Sequence, residues 1–417
     1  MIDARSTRRG LFLVFMIMFL DVIGIAIIMP VLPTYLRELT GDDISQAAID
    51  GGWLLLVYAG MQFLFAPFVG NLSDRFGRRP VLLACIFTFA IDNLICALAT
   101  SYWMLFVGRV LAGLSGASFG TAAAYIADIS TDETRAKNFG LMGIAFGTGF
   151  ALGPVIGGLL GEFGPRIPFY GAAVLAFLNF VAACFLLPES LAPANRRRFE
   201  LSRANPLGAL MQMRRYTGVL WIGLVFFCYW LAHAVYPSVW SFVSAYRYGW
   251  SEGQIGLSLG IFGVGGAVVM AFVLPRVVPR LGEYRTAVLG LFFSVFGLVG
   301  YASAWQGWMV YAVIALTALE ALADPPLRSI ASARVPPSAQ GELQGALTSV
   351  SSITTIIGPL IFTQVFSRFT GPEAPVDFAG APFAVAALIL FAGFVIFVMK
   401  LRGAGAGPKR NLAQEGS

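Results

Sequence analysis

The sequence predicts an all-α membrane protein of twelve transmembrane helices, arranged as two pseudo-symmetric six-helix halves. Three observations predict it. First, 58% of the 417 residues are hydrophobic and only 12% are charged, against about 25% charged in a soluble domain. A core large enough to hide those apolar side chains would leave too few polar ones to cover it. Second, apolar runs of about 20 residues, the length of helix that crosses roughly 30 Å of hydrocarbon, recur along the chain. Third, several sequence anchors repeat at one offset of 205 residues. Spans and connections then use up the chain, which excludes a large soluble enzyme domain.

The spans fall at about 11–36, 52–72, 79–99, 103–126, 138–160, 167–188, 217–242, 253–275, 286–304, 308–331, 345–366 and 380–399. Span 1 follows Arg5, Arg8 and Arg9, but it is too long for a signal-peptide core, carries Asp21 and lacks a small-residue cleavage site, so it is expected to stay as a helix. Lys and Arg on alternate sides of the spans count 23 to 4, which places both termini in the cytoplasm by the positive-inside rule. Because the cations sit in short connections, the net charge of +6 reports topology and calls for no nucleic-acid partner.

The longest connection, Pro188 to Tyr216, contains Arg196, Arg197, Arg198, Pro193 and Pro206. It divides the chain into a bundle over 1–188, a cytoplasmic linker over 189–216 and a bundle over 217–417. Arg75-x-Gly77 falls on Arg280-x-Gly282, Phe139-Gly140 on Gln344-Gly345 and Gly153-Pro154 on Gly358-Pro359, all without gaps. Such duplicated halves suit alternating access, one half rocking against the other around a midplane site. By pseudo-symmetry, spans 1, 4, 7 and 10 should line the cavity. Cys85, Cys96, Cys184 and Cys228 lie inside apolar runs, which supports neither a disulfide framework nor a zinc site. No G-x-x-x-x-G-K-[ST] loop is present, so no ATPase, metal or cofactor is expected.

Between spans 2 and 3 stands Gly70-Asn71-Leu72-Ser73-Asp74-Arg75-Phe76-Gly77-Arg78-Arg79-Pro80. Gly77 permits a tight turn, while Asp74 and the arginines supply charge-assisted contacts at the ends of moving helices. Span 4 carries Gly108-Arg109 followed by Gly113 and Gly116, and span 5 carries Gly149, Gly153, Pro154, Gly157 and Gly158. Small residues at this spacing let helices approach closely, and Pro154 bends its helix. Together these segments resemble signatures of the major facilitator superfamily. Asp21 through Pro33, Ser73 through Leu83, Gly341 through Gly345 and Gly358-Pro359-Leu360 resemble its bacterial tetracycline/proton antiporters, most densely over residues 11–190.

The resemblance implies a major facilitator fold, a conformational latch made by Asp74, Arg75, Gly77 and Arg78 with Asp128 as partner, and an antiporter motif in span 5. In the family that latch holds the outward-facing state. The resemblance further implies that Asp21, Gln62, Asp92 and Arg109 handle substrate or proton. Where tetracycline exporters usually carry a His and a Gln in span 8 and an Asp in span 9, this chain has Gly266, Met270 and Ser294.

Ionisable residues in hydrocarbon cost roughly 2.5–3.5 kcal/mol each on insertion scales, so they are expected to face one another or a wet cavity. Asp21 lies too deep in span 1 to snorkel. Asp92 and Arg109 lie at equal depth beside a short turn and could pair. His233 in span 7 accompanies Tyr229, Trp230 and Tyr236, an aromatic stripe suited to a planar or lipophilic substrate. Glu320 and Asp324 lie four apart and are expected to share one face of span 10 with Thr317, ahead of a kink at Pro325-Pro326. Proton coupling is thus expected at Asp21, Asp92, Glu320 or Asp324, Glu320 having taken over from the missing span 9 Asp. The substrate cavity is expected at Gln62, Arg109, Tyr229, Trp230, His233 and Thr317.

The reading that follows is a monomeric bacterial inner-membrane antiporter that exports a small amphipathic, drug-like compound, tetracycline-like ones among the candidates, in exchange for protons. A proton-coupled importer of a nutrient or organic anion is the alternative. A non-transporting receptor would not need several intramembrane carboxylates.

Overall fold

The computed structural model describes residues 4–198, 217–336 and 339–401. Most of the 189–216 connection and everything beyond Leu401 lie outside the described residues. Ten helices among the described residues are long and apolar enough to cross a membrane, and the shorter apolar helix Gly10–Ala26 precedes them. One of the ten, Glu252–Ser303, is 52 residues long and breaks at Gly282, where φ is 75°. Divided there into spans 8 and 9, and with the first helix added, the passes are consistent with the expected twelve.

The internal repeat is visible in the backbone. Gly77 and Gly282, 205 residues apart, both have positive φ (107° and 75°), and at each the chain leaves one helix and enters the next through a single residue. Only glycine is at ease there, because a Cβ is crowded at positive φ. The connection expected over 276–285 is therefore not a loop but two helix ends meeting at Gly282. Pro154 and Pro359, the second such pair, lie inside spans 5 and 11.

Spans 1, 4, 7 and 10 are each discontinuous. They read Ala4–Ala26 then Leu32–Thr40; Tyr102–Gly116 then Ser118–Asp128; Thr217–His233 then Val235–Tyr248; and Gly307–Thr317, a 3-10 turn over Ala318–Leu322, then Asp324–Ser332. Side-chain hydroxyl and amide donors reach backbone carbonyls beside two of the breaks. Gln62 Nε2 donates to Gly116 O (2.9 Å), and Ser238 Oγ to Ala234 O (2.6 Å). Broken helices persist at membrane depth only where protein or a cavity re-satisfies the backbone.

The halves meet along two seams, span 5 against span 8 and span 2 against span 11. At the end far from Ala4 and Leu401 both seams are closed. Glu162, at the end of span 5, accepts hydrogen bonds from Ser251 Oγ (2.6 Å) and the Gly253 amide (2.9 Å) at the start of span 8. Thr34 donates to Glu252 (2.5 Å), and Ser45 bonds Thr370 (2.9 Å). The Ser251 and Gly253 donors hold the Glu162 carboxyl below its ordinary pKa. Towards the end where the chain enters and leaves, spans 5 and 8 part around a cavity of about 980 Å³.

Candidate functional site

Spans 5, 7, 8 and 10 wall this cavity. Spans 7 and 10 are where pseudo-symmetry expects them, whereas no described residue of span 1 or span 4 lines the cavity; span 5 packs across span 1. Glycines explain both contacts of span 5. A Cβ at Gly149, Gly153 or Gly157 would meet Val22, Ala26 or Ile27 of span 1, and one at Gly158 would meet the Glu252 backbone of span 8. On the cavity face, a Cβ at Gly140, Gly143 or Gly147 would meet nothing.

Two of the expected cavity residues, Tyr229 and Thr317, belong to the wall, together with the expected coupling carboxylate Glu320, whereas His233 is not among the lining residues. Gly266 and Met270 line it as well, so the side chains that depart from the tetracycline exporters' pattern make it apolar there. Ser294 is buried and bonds the Gly290 carbonyl (3.0 Å).

Glu320 is 6% exposed and joins spans 7 and 10. Its Oε1 lies 3.5 Å from His233 Nε2 and its Oε2 accepts from Tyr236 OH (3.2 Å). The His233 ring packs against Tyr229 at a tilt of 33°, centroids 4.0 Å apart, and its Nδ1 lies 2.8 Å from the Tyr229 carbonyl. Thr317 Oγ1 bonds Tyr301 OH (2.7 Å). Trp230 does not line this cavity, and its indole Nε1 has no hydrogen-bond partner.

The expectation that Asp324 shares a face with Glu320 fails. Residues 318–322 tighten into a 3-10 turn with about three residues per turn, so positions four apart diverge. Asp324 opens the next helix and pairs with Arg328 (2.7 Å).

In the first half, Asp92 and Arg109 do pair, at 3.7 Å. Asp92 is fully buried and also meets Asn93 Nδ2 (2.8 Å) and Ser115 Oγ (3.4 Å); Arg109 also donates to Cys96 Sγ (3.3 Å). Asp21 is 8% exposed and accepts from Ser118 Oγ (3.3 Å). Gln62, Asp21, Asp92 and Arg109 do not line the cavity described above.

The arginine motif is assembled as a cluster. Arg78 bridges Asp74 (2.5 Å) and Asp128 (3.1 Å), and Arg75 lies over the Phe76 ring. Sequence reasoning missed Glu189 and Ser190: Glu189 accepts the backbone N–H of Arg78 (2.9 Å) and Arg79 (3.3 Å), capping span 3, and Ser190 donates to Asp128 (3.0 Å). An acidic residue opening a basic connection was the available signal. These partners all lie in the first half or the start of the connection, and the cluster is formed while the cavity is open, so its closure is not confined to the opposite state.

A sequence model described as Major Facilitator Superfamily matches residues 14–359 and 222–416. The tetracycline resistance protein of class C from Escherichia coli is 41% identical over 84% of this chain and 87% of its own length. The class G protein from Vibrio anguillarum is 39% identical over 87% of this chain and 92% of its own. Among solved structures, a bacterial homologue of the human lysosomal transporter Spinster, in an inward-facing and unoccupied conformation, aligns with a TM-score of 0.76 at 16% identity, covering 97% of this chain and 98% of that one.

Proposed function

Since the chain belongs to the major facilitator superfamily, we propose that it is a proton-coupled antiporter that exports a small amphipathic, drug-like compound by alternating access. The observation that carries this reading is the arrangement of one closed and one open end around a cavity in whose wall, among the described residues, Glu320 is the one carboxylate. Relatives named as tetracycline resistance proteins support drug efflux as the direction of work and make tetracycline the first compound to try. An importer is disfavoured by those same relatives.

In this reading the cavity end faces the cytoplasm of a bacterial inner membrane, as the 23 to 4 cation count supports, and the protein works as a monomer. Glu320 with His233 is the coupling site. Asp21, Asp92 and Arg109 support the first half, and Asp324 with Arg328 braces span 10. Tyr229 and Thr317 contact substrate. The Arg78 cluster steadies the cytoplasmic ends of spans 2, 3 and 4. Inverted membrane vesicles given an inward-acid gradient should accumulate tetracycline, and right-side-out vesicles should not. Glu320→Gln should abolish the uphill component while leaving exchange of substrate for substrate intact. Normal pH-driven accumulation in that variant would remove Glu320 from coupling and leave Asp21 as the next carboxylate to test.

A further inference from the structure

The seam between spans 5 and 8 is shut at the far end and parted towards the open end, and the parted stretch has no roof. Besides each other, span 5 packs on spans 1, 4 and 6, and span 8 on spans 7 and 10. No other described helix packs closely on both. Where the two part, the edge of the cavity is therefore a slot that faces the hydrocarbon of the bilayer from the side.

The slot has the length and lining of a lipid chain. Its walls run from Gly140 to Leu152 on span 5 and from Phe262 to Phe272 on span 8. Twelve residues of helix rise about 18 Å, close to the roughly 15 Å of hydrocarbon in one leaflet. Ile144, Leu152, Val264, Val268, Met270 and Phe272 stand exposed along it. A Cβ at Gly140, Gly143, Gly147 or Gly266 would meet nothing, so the space between those side chains is open down to the backbone. Apolar surface left to water is unfavourable in proportion to its area, and an acyl chain would cover it.

The mouth of the slot is positive on both sides. Lys137 lies three residues before Gly140 in regular helix and so shares its face. Arg276 is tied to the slot directly, its Nη1 donating to the Phe272 carbonyl (2.5 Å) in the π-helical turn Val269–Val273. Its other N–H groups remain available to an anion. Both cations are exposed, and neither forms an ion pair among the described residues; Glu133, one turn before Lys137, pairs with neither. The positive-inside rule accounts for basic residues at this level, but not for an open apolar slot that begins at them.

We propose that the parted seam binds an anionic phospholipid, its phosphate between Lys137 and Arg276 and one acyl chain lying in the slot along span 5. A zwitterionic head would bring its own cation towards Lys137 and Arg276, and a free phosphate would leave the slot uncovered. The lipid is a ligand of this state alone. Glycines that leave the slot open also let the two helices meet when it shuts, and the chain must leave first, so bound lipid favours the open cavity. The site does not depend on which compound the cavity exports or on what drives it.

Nanodiscs expose both faces of the full-length protein, so they test the site without reference to orientation or transport. The reporter is Gly143→Cys, labelled with an uncharged, water-soluble maleimide and counted above the four native cysteines. Phosphatidylglycerol added to phosphatidylcholine discs of the same chains should slow this labelling to a plateau. Phosphatidylethanolamine of the same chains should not, nor should glycerol 3-phosphate, which is the head without the chains. Lys137→Gln and Arg276→Gln should each weaken the apparent affinity for phosphatidylglycerol about fivefold, the effect of one basic residue beside an anionic head. Together they remove two of the 23 cations on that side, which leaves insertion unchanged. Gly147→Leu keeps every charge and fills the slot, and should abolish the effect.

Slowing by glycerol 3-phosphate would make this a free-phosphate site, and equal slowing by phosphatidylethanolamine an unselective groove. Undiminished slowing in the double variant would make it a general effect of membrane charge. Any of these, or no slowing by phosphatidylglycerol, overturns the assignment. In the same discs phosphatidylglycerol should also slow labelling of Ser45→Cys at the closed far end, and unchanged or faster labelling there would overturn the competition between lipid and closure.

Discussion

The two halves share a backbone plan and differ in where they keep their charges. In the first half, Asp92 and Arg109 are shut in together, with Asn93, Ser115 and Cys96 filling their remaining contacts. In the second, Glu320 stands in a cavity wall with a histidine beside it. The repeat shows that this is divergence. Shifted by 205 residues, Asp92 and Arg109 fall on Gly297 and Ile314, and Glu320 falls back on Ser115, whereas Gly77 and Pro154 fall on Gly282 and Pro359. Positions that shape the chain have been kept in both halves, and positions that carry charge have specialised. The first half has an electrostatic core, and the second has an electrostatic site.

The sharpest way to break this contrast is to remove one charge from each. Asp92→Asn strands the Arg109 guanidinium in a buried position and should destabilise the protein by about 3–5 kcal/mol, seen as a lower unfolding temperature in detergent. His233→Gln keeps a donor beside Glu320 and should cost about 1 kcal/mol, its main effect appearing in transport. Equal losses of stability would end the distinction. Exchanging Asp92 and Arg109 should restore stability if the pair is purely structural, and restored stability without transport would give the pair a direct part in handling substrate or proton.

A smaller effect is expected where the halves differ in their one-residue connections. Arg78→Ala removes the bridge between Asp74 and Asp128 and should lower flux about tenfold, equivalent to 1.4 kcal/mol, with insertion and yield unchanged. The residue at the same place in the repeat is Glu283, which accepts a hydrogen bond from Ser329. Glu283→Ala should reduce flux less, and equal reductions would mean that both connections brace the bundle alike.

The smallest effect belongs to the closed far end. Hydrogen bonds from Ser251 and Gly253 depress the Glu162 pKa, so their stabilisation of closure is present above the ordinary carboxylate value and is lost as pH falls through the depressed one. Acid on that side should favour opening a few-fold at most, read as faster labelling of Ser45→Cys by an impermeant maleimide. The same measurement on Glu162→Gln should show no acid response, and a response of undiminished size would remove Glu162 from the closure.

Much of the fold was legible because hydrocarbon thickness sets a span's length and glycine marks a chain reversal. The breaks in spans 4 and 7 were not legible, since Ala117 and Ala234 carry no punctuation. Depth along two neighbouring helices was enough to place Asp92 opposite Arg109. His233 and Glu320 are 87 residues apart on non-adjacent spans, and only tertiary packing brings them together. Asp324 was misplaced because face-sharing arithmetic assumes 3.6 residues per turn, which the 3-10 segment abandons.

The single-residue connections limit how the molecule can deform. One residue reaches no more than about 3.6 Å, so Gly77 and Gly282 leave almost no slack between the helix ends they join. Span 8, which walls the cavity, cannot swing without dragging the adjoining end of span 9. Span 2, which seals the far end through Ser45, is tethered in the same way to span 3, which carries Asp92. Each hairpin thus acts as a stiff lever, and a displacement at either seam is passed without play into the helix layer behind it.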